Sequence, residues 1–120
     1  MWMATQEARC DESLTRAFTL LGKRWTGMII GVLLDRPVRF AELARAVPGI
    51  TEGMLATRLR ELQAAGLVER TILTGPPIGS SYRLTAAGLA LEPALTELAH
   101  WAASYLPRPA KRAARSRSRS

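Results

Sequence analysis

Few residues in this sequence could do covalent or metal chemistry. It holds one cysteine, Cys10, and one histidine, His100. A single cysteine rules out an internal disulfide and a cysteine-rich zinc site. A Ser-His-Asp triad would have to use His100, and no nucleophile motif accompanies it. There is no phosphate-binding glycine loop, no metal-ligand cluster and no evident pair of catalytic carboxylates. No enzymatic activity, metal or cofactor is therefore expected. Cys10 keeps one option open, because a thiolate is a nucleophile and a position just before a helix favours it. Asp11 and Glu12 act against that by disfavouring a second negative charge.

The remaining chemistry is cationic. The 120-residue chain carries 17 Lys and Arg against 10 Asp and Glu, a net charge of +7. That excess points to an anionic partner, most often nucleic acid. It is unevenly placed, however. Residues 1–35 are neutral, residues 36–83 carry +3, residues 84–106 carry −2 and residues 107–120 carry +6. The last segment, PRPAKRAARSRSRS, has no large apolar residue and is expected to be a disordered arm, either for phosphates or merely solubilising. The length suits one domain. No apolar run approaches the roughly 20 residues of a spanning helix, and the N-terminus has no apolar signal core, so a cytoplasmic protein is expected.

The elements that must position these cations follow from periodicity and punctuation. Leu14, Ala17, Phe18 and Leu21 form one helical stripe over about Glu12 to Leu21. A second helix, roughly Trp25 to Leu34, is apolar almost all round and belongs in the core. Asp35-Arg36-Pro37 stops it. Arg39-Phe40 is a short extended step before a brief helix over about Ala41 to Ala46. Pro48-Gly49 is a turn, and Thr51 an N-cap for a helix from Glu52 to about Ala65 that Gly66 terminates. Leu67 to Leu73 and Ser81 to Leu84 are strands flanking a loop tip. Thr85 caps a last helix reaching about Leu106, which Pro93 is expected to kink.

Two short helices joined by a tight turn, followed by a hairpin, make a winged helix-turn-helix: mainly α with a small β-hairpin wing. In that geometry the second helix enters the major groove. On its wheel Leu55, Leu59 and Leu62 fall together, facing the core. Gly53, Ala56, Thr57 and Arg60 lie opposite. Small residues allow close approach to base edges, and Arg60 could grip guanine or a phosphate. Arg58, Arg60 and Arg70 are offset in number by Glu52, Glu61 and Glu69. A winged-helix protein-interaction module without specific DNA readout therefore stays open as the alternative.

The ordered pieces Leu-Gly-Lys-Arg-Trp (21–25), Arg-Phe-x-Glu-Leu (39–43), Pro-Gly-Ile-Thr (48–51), Met-Leu-x-x-Arg-Leu-x-Glu-Leu (54–62) and Gly-Leu-Val-x-Arg (66–70) resemble the HxlR-type family of bacterial winged-helix transcription regulators. Leu84-Thr85-x-x-Gly88 and Trp101-Ala102 continue the resemblance. It implies a sequence-specific regulator, a repressor by expectation, that binds an inverted repeat in double-stranded DNA as a homodimer. The DNA-binding residues would then be Arg39, Thr51, Gly53, Ala56, Thr57, Arg58, Arg60, Ser80, Ser81 and Arg83. The resemblance places the dimer interface on the first and last helices. Leu14, Phe18, Leu91, Leu95, Leu98, Trp101, Ala102 and Tyr105 suit it, most of them at heptad-like spacing. An N-terminal cysteine resembles the redox- and quinone-sensing branch, which makes Cys10 the candidate sensor and a small electrophile or quinone the candidate effector. Two positions depart from the family pattern. Gly53 stands where members often carry a cation, and Pro76-Pro77 is followed by Ile78-Gly79-Ser80-Ser81 with no arginine at the tip. The basic arm is expected to replace part of that missing charge. The domain reading is a flexible 1–9, a body over 10–106 and a tail over 107–120.

Overall fold

The structure, a computed structural model, describes residues 7–109. Most of the basic arm and the first six residues lie outside it. The body expected over 10–106 divides after Ala90 into two compact units.

The first unit opens with α1 (Glu12–Leu21), capped by the Asp11 carboxylate, which accepts from the Leu14 N–H at 2.8 Å. The apolar α2 (Thr26–Leu33) follows, and Thr26, Ile29, Ile30 and Leu33 are all buried on it. Next come β1 (Val38–Arg39), α3 (Phe40–Ala46) and α4 (Glu52–Ala64). The hairpin strands β2 (Val68–Leu73) and β3 (Gly79–Leu84), then the short α5 (Ala86–Leu89), complete the unit. The sheet is antiparallel in the order β1-β3-β2. This is the winged helix-turn-helix that the order of elements implies.

Local chemistry explains the boundaries of α4. The Thr51 hydroxyl accepts from the Met54 N–H at 3.0 Å, satisfying one of the donors a helix start leaves unpaired. At the other end Gly66 takes φ +80°. The Leu67 N–H reaches the Leu62 carbonyl and the Gly66 N–H the Gln63 carbonyl, both at 3.0 Å. This paired closure needs a left-handed residue, which glycine supplies without steric cost. Between the ends, Leu55, Leu59 and Leu62 are buried as their spacing requires. They join Ile29, Ile30, Leu33, Val38, Leu43, Val47, Val68, Tyr82 and Leu84 in one core.

Two expectations need correction. The extended step at Arg39 is a third strand, with Val38 opposite Tyr82 and Arg39 opposite Ser81. Two residues are too few to show a period-2 pattern, so nothing local announces the pairing. The last helix is not one kinked rod. After α5 the chain restarts as α6 (Glu92–Tyr105), with Pro93 in its first turn. A proline there sacrifices no intrahelical hydrogen bond, so it begins a helix instead of bending one. The short α5 has its own role. The Thr85 hydroxyl donates to the Gly66 carbonyl at 2.7 Å and accepts from the Gly88 N–H at 3.2 Å, tying the end of β3 back to the end of α4.

The second unit begins at Leu91 and is built on α6. Among the described residues none of α6 is buried, and Leu98, Trp101 and Tyr105 are at least half exposed. No helix among the described residues is long and apolar enough to cross a membrane.

Candidate nucleic-acid interface

The exposed side of α4 is the candidate reading surface. Thr51 caps it, Gly53 and Arg60 are exposed, and Ala56 and Thr57 are half-buried between them. The Thr57 hydroxyl donates to the Gly53 carbonyl at 3.0 Å and accepts from Arg60 Nη2 at 3.3 Å. Arg60 is thereby held along the helix by one long bond to a neutral oxygen, which a base edge or phosphate can replace. The face is smooth except for this one long donor, the shape that close approach to a groove floor requires.

Charge pairing decides what this surface offers. Glu61 accepts from Lys23 at 3.2 Å and from Arg58 at 3.1 Å. Glu69 pairs across the hairpin with Arg83 at 2.7 Å, since the two stand opposite one another in the register. Equal numbers of acids and bases therefore do not neutralise this side. Among the described residues no carboxylate lies in ion-pair range of Arg39, Arg60 or Arg70. Arg70 is absent from the candidates that the sequence offers, where it enters only as one of three arginines balanced in number by Glu52, Glu61 and Glu69. In a strand, however, adjacent residues point to opposite faces, and that alternation is the signal that separates Arg70 from Glu69. Arg70 instead donates from Nε to the Ser80 hydroxyl at 3.0 Å.

The other candidates separate into two groups. Arg39 is exposed, Ser80 and Ser81 are half-buried on the wing, and all three belong to paired strands. Arg83 is exposed but bound to Glu69. Arg58 is held within the fold. Its Nε donates to the Arg24 carbonyl at 3.0 Å, its Nη1 reaches Glu61, and its side chain is only 16% exposed.

The bond from Arg58 to Arg24 fastens the loop between α1 and α2 to α4. The loop turns through Trp25, which takes φ +82°, a left-handed conformation costly for a bulky residue. Several neighbours hold it. The Arg24 guanidinium lies 4.4 Å from the Trp25 ring centroid, and a Cβ on Gly49 would sit 3.3 Å from Trp25 Cη2. Lys23 is tied to Glu61. The Lys23 hydrogen bond, then its charge and that of Arg58, hold the Glu61 carboxyl below the usual glutamate range. The segment that carries Cys10 is thus linked through Lys23, Arg24 and Trp25 to the helix that carries Thr57 and Arg60.

Cys10 itself is exposed. The Thr15 hydroxyl lies 2.9 Å from its Sγ and 2.9 Å from the Asp11 carbonyl. Leu14 and Phe18 of α1 are 52% and 55% exposed. On α6 Leu95 and Ala102 are half-buried, as is Leu91 just before it, while Trp101 and Tyr105 stack with centroids 6.4 Å apart.

Comparison with known proteins agrees with this geometry. Residues 20–110 match the HxlR-like helix-turn-helix family. The HTH-type transcriptional regulator YodB of Bacillus subtilis is 46% identical over 89 residues, covering 74% of this chain and 80% of YodB. The reduced form of YodB superposes with a TM-score of 0.72 at 40% identity, over 85% of this chain and 100% of that one. Quinone-bound YodB gives 0.70 at 42% identity, over 80% and 100%. The redox regulator HypR in its reduced form gives 0.72 at 33% identity, over 78% and 92%.

Proposed function

This chain belongs to the HxlR-like helix-turn-helix family of DNA-binding transcriptional regulators, and from that premise we propose that it binds an inverted repeat as a cytoplasmic homodimeric repressor released by modification of Cys10. The observation that carries the DNA reading is α4: a capped helix with a buried leucine face, opposite a smooth exposed face on which Arg60 lacks an acidic partner among the described residues. In this reading α4 enters the major groove, Arg60 and Thr57 meet base edges or phosphates, and Ser80 and Ser81 follow the backbone on the wing side, with Arg39 beside them. Arg58 holds α4 in place, and Arg83 stays with Glu69.

The homodimer reading is supported by large apolar side chains left exposed on α1 and α6. Isolated large apolar residues on a surface are ordinary, but stripes of them mark interaction faces. A two-fold partner would set two copies of α4 about one turn of DNA apart.

Cys10 is the one thiol, and the relatives similar to this chain include a quinone-bound and a redox-named regulator. In the proposed step the Cys10 thiolate adds to a ring carbon of the quinone. A carbon–sulfur bond forms, and the electron pair moves to the carbonyl oxygen. That oxygen takes up a proton, and the hydrogen on the sulfur-bearing carbon passes to the second carbonyl oxygen, leaving a hydroquinone thioether. No second thiol is needed. An oxidant would act instead by joining Cys10 to the partner's Cys10, itself taking up the two electrons that the thiols release. Strain on α1 then passes through the Lys23–Trp25 loop to α4.

Selection of duplexes from a random library by the full chain tests the DNA reading, with inverted repeats as the expected product. On a selected duplex, benzoquinone is expected to weaken the wild type roughly 5–150-fold, the usual range of allosteric coupling. It should leave Cys10→Ser unchanged. An equal response in both chains removes Cys10 as the sensor. Deleting residues 107–120, which carry six cations, is expected to flatten the dependence of log affinity on log salt by about 0.9 for each phosphate that the arm neutralises. Sequence preference should not move. An unchanged slope rules out the arm as a phosphate ligand.

A further inference from the structure

We propose that Arg39, delivered from β1 to the wing, reads the minor groove beside each half-site, with Ile78 as an apolar tip, and selects A·T-rich flanks. The inference rests on the DNA-binding reading above and adds a specificity determinant to it. Residues 71–82, which contain the whole wing tip, carry no charged side chain. The wing by itself therefore has no cation to place in a groove. The sheet supplies one. Arg39 stands opposite Ser81 on the edge strand, and its guanidinium runs to the tip, where Nη1 donates to the Pro77 carbonyl at 3.4 Å. The same Nη1 lies 3.8 Å from where a Cβ on Gly79 would be.

Three features make this a reader and not a structural arginine. The first is its partner. Arg58, Arg83 and Arg36 are each bound to a carboxylate, whereas Arg39 makes one long bond to a neutral carbonyl and can exchange it at little cost. The second is its base. Pairing of Val38 with Tyr82 and of Arg39 with Ser81 fixes the backbone from which the side chain extends, so less freedom is sacrificed on binding. The third is its surroundings. Arg39, Phe40, Pro77, Ile78 and Ser80 line an open groove of about 350 Å³. Ile78 beside it is 80% exposed. A guanidinium with no carboxylate partner among the described residues, flanked by apolar side chains, suits a narrow minor groove, where negative potential is concentrated and apolar side chains are tolerated. The exocyclic amino group of guanine obstructs that floor, so A·T pairs are preferred there.

The test replaces A·T by G·C and by I·C at the flanking positions of a duplex selected by the full chain. I·C keeps the major-groove pattern of G·C but removes the minor-groove amino group. The wild type is expected to bind the A·T and I·C duplexes alike and the G·C duplex roughly tenfold more weakly, the scale of a single base interaction. Arg39→Ala should bind all three within about twofold of one another, and its melting temperature should match the wild type because the side chain is exposed. Arg39→Lys should recover only part of the preference, since an ammonium is more strongly hydrated than a guanidinium. Ile78→Gly should narrow the preference without changing the salt dependence. The inference is overturned if Arg39→Ala keeps the wild-type preference. It is equally overturned if Arg39→Ala weakens all three duplexes equally with a shallower salt dependence, the mark of a phosphate ligand. If the wild-type chain selects no duplex at all, the DNA reading fails, and this inference with it.

Discussion

Replacing Leu59 by alanine is expected to remove about 2–5 kcal/mol of folding stability and to lower Tm by more than about 10 °C. Leu59 is 1% exposed, between Leu55 and Leu62 on the buried face of α4. Truncation removes the transfer free energy of its methyl groups and leaves a cavity that a close-packed core closes only in part. Domains of this size have only about 5–15 kcal/mol in total, so the loss is a large share. The functional consequence follows from geometry, because the helix deprived of its seat is the one that carries Thr57 and Arg60. DNA affinity should fall together with stability. Arg60→Ala provides the contrast, since that exposed side chain makes one hydrogen bond to Thr57. Its melting should be unchanged while DNA binding weakens. Urea titration and duplex binding of the two variants check this pair of outcomes. If Leu59→Ala melts like the wild type, α4 is not anchored where the structure puts it.

Arg58→Ala and Arg58→Lys are both expected to destabilise the protein, by about 1.5–3 kcal/mol, the scale of a hydrogen bond to a charged group. Arg58 bridges two partners from one planar group, the Arg24 carbonyl through Nε and Glu61 through Nη1. A lysine ammonium cannot match that fork. A phosphate-binding arginine would behave in the opposite way, since lysine would still reach the phosphate and Tm would not move. Thermal melting of the two variants therefore decides whether Arg58 serves the fold or the DNA. The same cluster predicts the acid limb of stability. Lys23 and then Arg58 hold the folded-state pKa of Glu61 below its ordinary value, and Arg36 does the same for Glu42. Carboxylates with depressed folded-state values add stability that is complete above the unfolded range. That stability disappears as pH falls through the folded values. Glu61→Gln should flatten the acid limb of a Tm-against-pH profile, and an unchanged profile would remove Glu61 from the cause.

Much of the reading surface is legible in the sequence because its determinants are local. Thr51 three residues before Met54, three leucines on one helical face and Gly66 after the last turn identify α4 within a residue or so. The hydroxyl at Thr85 marks a second capped start for the same reason. The break at Ala90 is not legible, because a proline among helix formers suggests a kink, whereas the first turn tolerates it without loss. Trp25 reads as part of a helix, since its neighbours are helical and nothing in its type announces a left-handed backbone. Arg24 and Gly49, distant or unmarked in the local pattern, lie against its ring.

The sequence by itself determined the order of the elements, the two faces of α4, the family, and a charge excess concentrated in the last fourteen residues. Each of these follows from residues within a helical turn or a strand of one another. The tertiary structure decided which arginines are available. Arg58 is closed into the loop between α1 and α2, Arg83 is matched to Glu69, Arg60 has no acidic partner among the described residues, and Arg39 is carried to the wing by a strand pair that joins residues 39 and 81. An arginine's role depends on what lies within about 4 Å of its guanidinium. For these residues that neighbourhood is assembled by segments distant in sequence, so charge counts along the chain could not anticipate it.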